Sequence, residues 1–241
     1  HQEQKNDVTA VFKRMPSNKI APDDHILSMK DSGQISDVTI SRDIQKPTDL
    51  YNLSLGVFVI KTSWLIEQLR NSQMISVEEL LFSKLNHVKS ATYEYTGYVS
   101  NVYDIPSYYQ ANMDMLNPEN YNSLLFSSQK VITRTKNEVA TYFSADSDVK
   151  NSQIATGCQI EGRVHNSLIS RRTLIAPEAQ IDHAIIMGSS KIGAKTKIKY
   201  AIIDKNVKID PGVEIIGQPD NLVVVKKNAH LSENIHGGKK K

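Results

Sequence analysis

Few side chains in this sequence have types and spacings suited to chemistry. The pair Arg171-Arg172, with Lys195 and Lys197 further along, could hold a phosphate-bearing effector, because guanidinium forks grip phosphate oxygens two at a time. Arg171 precedes Lys195 by 24 residues, which is not a multiple of the 17-residue period found below. The two need not share a side, and a solvated basic rim is the competing reading. Cys158 is the single cysteine, so no intramolecular disulfide can form and a reducing, cytoplasmic compartment fits best. It lies 17 residues before Ile175, on an inward column, and reads as a small core hydrophobe rather than a nucleophile. His165 and His183 sit beside inward positions, as surface or corner residues.

The element that must position these residues is a repeat. Ile175, Ile192 and Ile209 are 17 apart, as are Val164, Ile181, Ile198 and Ile215, and Ile169, Ile186 and Ile203. Ala184-Ile185-Ile186 returns as Ala201-Ile202-Ile203. Three ladders locked at one period describe a triangular coil with one aliphatic per side pointing to the axis. Stacked coils bury a column that no single coil could bury alone. Gly157, Gly162, Gly193, Gly212, Asn151 and Asn206 suit the tight corners. This texture is that of a left-handed parallel β-helix of the hexapeptide type.

The first half reads as mixed α/β. Strands are expected at Val8–Phe12, Asp37–Ile40, Leu53–Ile60 and Ala91–Ser100, the third apolar enough to be covered on both faces. Ser63 is placed to cap one helix, with Trp64, Leu65 and Leu69 inward. Ser76 is placed to cap a second, Val77–His87, with Glu79 completing a capping box. Ile105–Leu116 is a third helix with Pro106 in its first turn. The fold class is therefore α/β plus all-β: a mixed α/β domain over 1–125, a linker over 126–148 and the β-helix over 149–241.

The net charge of +3 equals the closing Lys239, Lys240 and Lys241, so the rest is near neutral. No basic stripe interleaved with aromatics points to nucleic acid, and no run of about 18 apolar residues points to a membrane. The opening His1-Gln2-Glu3-Gln4 is neither a signal peptide nor an initiator methionine, and reads as the start of a fragment or a processed chain.

Three segments carry a resemblance. They are Gln45-Lys46-Pro47, Leu53-Ser54-Leu55-Gly56-Val57-Phe58, and Asn101-Val102-Tyr103-Asp104-Ile105-Pro106-Ser107-Tyr108-Tyr109-Gln110-Ala111-Asn112-Met113-Asp114. They resemble, in order, the Glu-Lys-Pro sugar-phosphate motif, the Ser-Met-Gly-Ile-Tyr stretch and the Asp-Val-Gly-Thr segment of the ADP-glucose pyrophosphorylase (glucose-1-phosphate adenylyltransferase) family. Within it, the likeness is to the GlgD-type glycogen-biosynthesis subunit. The resemblance implies a partial nucleotidyltransferase-like domain ahead of the β-helix.

The departures bear on activity. The family's aspartate, expected to hold Mg²⁺, is Asn101 here, and a neutral carboxamide is a much poorer magnesium ligand. Nucleotidyl transfer depends on that charge neutralisation. Gln45 stands for the motif's glutamate, and Met74-Ile75-Ser76-Val77 for a His-Asp-Phe-Gly segment. The glycine-rich nucleotide loop would precede residue 1. Lys46 and Ser54 are left as vestigial sugar-phosphate contacts, with no catalytic residue expected.

The resemblance thus implies a non-catalytic regulatory or structural subunit with no cofactor of its own. Its partner would be a catalytic ADP-glucose pyrophosphorylase subunit, which would carry the Mg²⁺, and a homo-oligomer is also possible. The alternatives are an active adenylyltransferase, if the upstream loop is present, and a hexapeptide acyltransferase, which would put more of its chain into the β-helix.

Overall fold

The computed structural model describes residues 1–73, 76–126, 131–132 and 137–237. The chain forms two compact units, His1–Asn101 and Val102–Lys241. The first is built on strands β1 (Val8–Pro16), β2 (His25–Met29), β3 (Ile35–Ile40), β4 (Leu50–Ile60) and β5 (Ser90–Glu94). They lie in the order β3-β2-β4-β1-β5, with β1 antiparallel to β4 and parallel to β5. Alternation along β1 turns Val8, Ala10 and Phe12 into one core. Helix α1 spans Thr62–Asn71 and α2 spans Val77–Lys84; Leu81 and Phe82 of α2, with Leu85, close that core.

Several local expectations change. The Ser76 hydroxyl accepts the Glu79 N–H, so α2 is capped as its sequence suggests. Helix α1 instead begins at Thr62 with Lys61 at its N-cap and no side-chain bond, which places Ser63 inside it. Leu69 is exposed, and so are Val57 and Val59 of β4, so that strand is not covered on both faces. Strand β2 was hidden in the sequence because its five residues sit between loops with no clear alternation. Met74 and Ile75 of the expected motif lie outside the described residues, as do the closing lysines Lys239, Lys240 and Lys241.

The second unit opens with α3 (Ile105–Met113), held by a reciprocal Asp104–Ser107 capping box, and α4 (Pro118–Leu125), capped by Asn117. Tyr109 of α3 is buried with Ile185 and Ile202 and donates its hydroxyl to the His183 carbonyl at 2.8 Å. Burial raises the Tyr109 phenol to about 12. The helices that the sequence grouped with the α/β body thus pack with the solenoid.

The solenoid is a stack of short parallel strands, and one of its faces holds six in register, from Tyr142–Phe143 to His230–Leu231. Its first pairing, Tyr142 with Gln159, falls ahead of residue 149. All three ladders are in register: Ile175 with Ile192 and Ile209, Val164 with Ile181, Ile198 and Ile215, and Ile169 with Ile186 and Ile203. Coil length varies, however. Ile160 pairs with Ile175, a step of 15, while Ile209 pairs with Leu231, a step of 22. The short step from Ile160 to Ile175 moves Cys158 off the Ile175 column. It is still buried, and it bonds the Ser170 carbonyl at 3.2 Å. Burial pushes its thiol up, as expected for a core residue.

The corners are columns of left-handed residues. One holds Asn166, His183 and Tyr200; another holds Arg172, Ser189, Asn206 and Asn228; a third holds Glu178, Lys195 and Gly212. Of the residues expected there, Gly157, Gly212, Asn151 and Asn206 have positive φ. Gly162 and Gly193 do not; they are glycine because neighbouring backbone leaves no room for a Cβ.

Outside, several stacked charges pair with opposite sign. Burial alone would raise the Asp148 carboxyl, but bonds from Lys150 and His165 outweigh it and hold the group below the usual range. The His230 ring does the same for Asp210, and Lys197 for Glu214. A depressed folded pKa contributes stability above the unfolded value of about 4 and loses it as pH falls through the folded value. Thermal melts should therefore drop progressively below about pH 4, and an Asp210→Asn variant should show a shallower drop. An acid limb identical in the two proteins would refute the assignment.

Candidate functional site

The bend in β4 shapes the site. Val11 pairs with Val57 while Phe12 pairs with Ser54, so Leu55 and Gly56 form a bulge. Gly56 takes φ +65°, and its N–H reaches the Ser54 hydroxyl at 3.4 Å. Beside this bulge lies a cleft of about 500 Å³, lined among others by Asp23, Asp24, His25, Ser54, Glu78 and Asn101. The His25 ring stacks on Phe82 at 3.8 Å.

Asn101 sits in that cleft with its amide already engaged. Its Nδ2 donates to Asp24 Oδ2 at 2.6 Å and to the Lys19 carbonyl at 3.1 Å. Both partners are acceptors, which fixes the nitrogen toward them. Asp24 Oδ2 also accepts the Ala21 N–H at 2.7 Å. A magnesium site needs oxygen ligands; at this position the chain presents N–H groups to the local oxygens. The residues here therefore do not fit the metal that the resemblance implies. Among the described residues, no group of three or more His, Cys, Asp or Glu side chains could hold a metal ion.

The two vestigial contacts are not brought together. Ser54 lines the cleft just described, whereas Lys46 lines a separate one of about 650 Å³ with Gln45, Tyr51 and Asn52. Gln45 turns its amide back to the Asp43 carbonyl at 3.2 Å. On the solenoid, Arg172 pairs with Glu138 at 3.2 Å, Lys195 with Glu178 at 3.7 Å and Lys197 with Glu214 at 2.8 Å. Arg171 is half-buried. Sequence reasoning missed Asp24 and His25. The run Asp23-Asp24-His25 is visible, but only the fold carries it to a residue 77 positions away.

Replacing Asn101 by Asp should set two carboxylates against each other. One would have to be protonated or displaced, and the variant should lose about 1–2 kcal/mol at pH 7 for a part-exposed contact of this kind. The new carboxyl's pKa is raised, so the loss should shrink as pH falls toward about 4. Denaturant titrations at both pH values check this; equal stability of variant and parent at pH 7 would show that the Asn101–Asp24 bond does not matter.

The fold is thus a mixed α/β unit with a bulged strand beside a cleft, followed in sequence by a hexapeptide-type parallel solenoid. The family described as GlmU-like, C-terminal hexapeptide matches residues 137–235. The glycogen biosynthesis protein GlgD of Bacillus subtilis (strain 168) is 27% identical over 177 residues, which is 72% of this chain and 52% of that protein. The glucose-1-phosphate adenylyltransferase of Photobacterium profundum is 36% identical over 57% of this chain and 35% of its own length. That of Acetivibrio thermocellus is 32% identical over 51% and 29%. The chain is similar to the glucose-1-phosphate adenylyltransferases and to GlgD, and of these three relatives GlgD matches the largest share of it. It spans about half the length of GlgD and about a third of the two adenylyltransferases. Among the described residues, no helix is long and apolar enough to cross a membrane.

Proposed function

We propose that this chain is a non-catalytic regulatory or structural subunit that works with a catalytic glucose-1-phosphate adenylyltransferase in glycogen biosynthesis. The observation that supports this reading is Asn101. Where the family resemblance expects a metal-holding carboxylate, a carboxamide is bonded to Asp24 and Lys19. The cleft lining adds Asp24 and Glu78, with Asp23 paired to Arg42, and no Lys or Arg of its own, a lining that favours anionic sugar phosphates less than a basic one would. On this reading Mg²⁺ belongs to the catalytic partner, both proteins are cytoplasmic, and the chain is part of a homo- or hetero-oligomer.

The test uses the full-length gene product with ATP, glucose 1-phosphate and Mg²⁺. Alone, it should form no ADP-glucose above blank, and Asn101→Asp should not create turnover. Mixed with its catalytic partner at micromolar concentration, it should co-elute and change that partner's rate. Turnover by the protein alone would favour an active adenylyltransferase, and separate elution with an unchanged rate would remove the subunit role.

A further inference from the structure

At several places on the outside of the solenoid, charged residues on adjacent rungs carry opposite signs. Asp148 is in register with Arg163, Asp182 with Lys199 and Lys197 with Glu214, and these meet at 3.4, 3.8 and 2.8 Å. Corner residues do the same, with Glu178 and Lys195 at 3.7 Å.

One strip stacks like charges instead. Lys191 and Lys208 are directly opposite on neighbouring strands. Lys205 and Lys227 each precede one of the stacked left-handed residues Asn206 and Asn228, whose side chains are bonded at 3.2 Å, so they too share successive rungs. Rungs are about 4.8 Å apart, and like charges set opposite at that distance destabilise a sheet. All four lysines are exposed. Asp210 offsets part of the charge, reaching Lys208 at 3.4 Å and His230 at 2.8 Å, and Asp204 accepts the Lys205 backbone N–H at 2.6 Å. Among the described residues, Lys191, Lys205 and Lys227 enter no ion pair. A rim that only had to be wet would be served by the opposite-sign pairing used elsewhere.

We propose that this lysine strip is a docking surface for an acidic segment of a protein partner. The charge runs along the coil stack on the outside of a corner, where an extended chain can lie across several rungs. A small phosphate is better held in a concave site by converging donors. No Phe, Tyr or Trp lies between Lys205 and Lys208 or beside Lys227 to stack a nucleic-acid base. Lysine, a flexible point charge, suits carboxylates whose positions are not fixed.

The probe is a fluorescent oligo-glutamate peptide titrated into the whole chain at low salt. Binding is expected, and it should weaken about tenfold or more in a variant with Lys191, Lys205, Lys208 and Lys227 all changed to Gln. Lys197→Gln, at an already paired position, should bind like the parent. The quadruple variant should melt no lower than the parent, because it removes repulsion. The proposal fails if the parent does not bind the peptide, or if the quadruple variant binds it equally well. It also fails if pyrophosphate or single-stranded DNA displaces the peptide at concentrations below those at which unlabelled peptide does so.

Discussion

An Ile198→Asp variant is expected to lose the folded solenoid at ordinary temperatures. Ile198 is 1% exposed and stands in the middle of a column, in register with Ile181 before it and Ile215 after it. Aspartate there would remove most of a buried aliphatic, a change that costs about 2–5 kcal/mol by itself. It would also place a carboxylate where every neighbour points an alkyl group at the axis, so the group must either ionise in an apolar medium or fold only when protonated. The sum reaches the whole stability of an ordinary domain, about 5–15 kcal/mol. Ile198→Val, which deletes one methyl, should cost only about 1 kcal/mol. Circular dichroism melts of the two variants decide the matter. An Asp variant melting within a few degrees of the parent would mean that the column does not hold the domain together.

The second large effect is expected at Gly193. A Cβ there would lie 2.5 Å from Pro211 N, 2.7 Å from Asp210 C and 2.8 Å from Ile209 O, all backbone of the next coil. None of these can swing aside as a side-chain tip could. The Gly193 N–H also bonds Ile209 O at 2.9 Å, so opening the gap stretches a rung. Gly193→Ala should therefore destabilise by about 2–3 kcal/mol, the upper part of the cost of overpacking a tight site. Gly212 is the useful contrast. It has φ +77°, nothing lies within 4 Å of where its Cβ would stand, and its corner column also holds Glu178 and Lys195. Gly212→Ala should cost only the left-handed backbone penalty, about 1–2 kcal/mol. Chemical denaturation gives the order directly, and a larger loss at Gly212 than at Gly193 would overturn this account of the close approach.

The contrast between these glycines also shows what the sequence could and could not convey. The columns were legible because a side chain every fifth or sixth residue must be aliphatic to face the axis, and three ladders share one spacing. The jobs of individual glycines were not. A turn and a close approach both demand glycine, and only the neighbouring coil distinguishes them. Cys158 illustrates a related limit. Counting back by 17 from Ile175 presumes a constant coil, and the step that ends at Ile175 is 15. In the α/β unit, the Ser54 and Asn101 positions were singled out by local resemblance, but the bulge at Leu55 and Gly56 was not, because Leu53–Ile60 read as one continuous strand. The Asp24 partner did not, because long-range pairing leaves no local signature. Helix α3 was recognised with Pro106 in its first turn, but its docking against Ile185 and Ile202 depends on an outward apolar row that looked, in sequence, like ordinary strand alternation.

The unequal coils have a consequence for how such a chain can vary. The steps of 15, 17 and 22 residues all deliver an aliphatic to the same axis. The extra residues of the longest coil are spent in a small excursion closed by a Gln218–Asn221 bridge. Gly217, whose missing Cβ would sit 2.2 Å from the Tyr200 carbonyl, keeps the backbone seated just before the excursion departs. Length is thus a free parameter at this corner and a fixed one on the flat sides. A foreign loop grafted between Gln218 and Asn221 should leave the inner columns untouched, whereas a single residue inserted between Lys197 and Ile203 would turn every following side chain of that strand inside out.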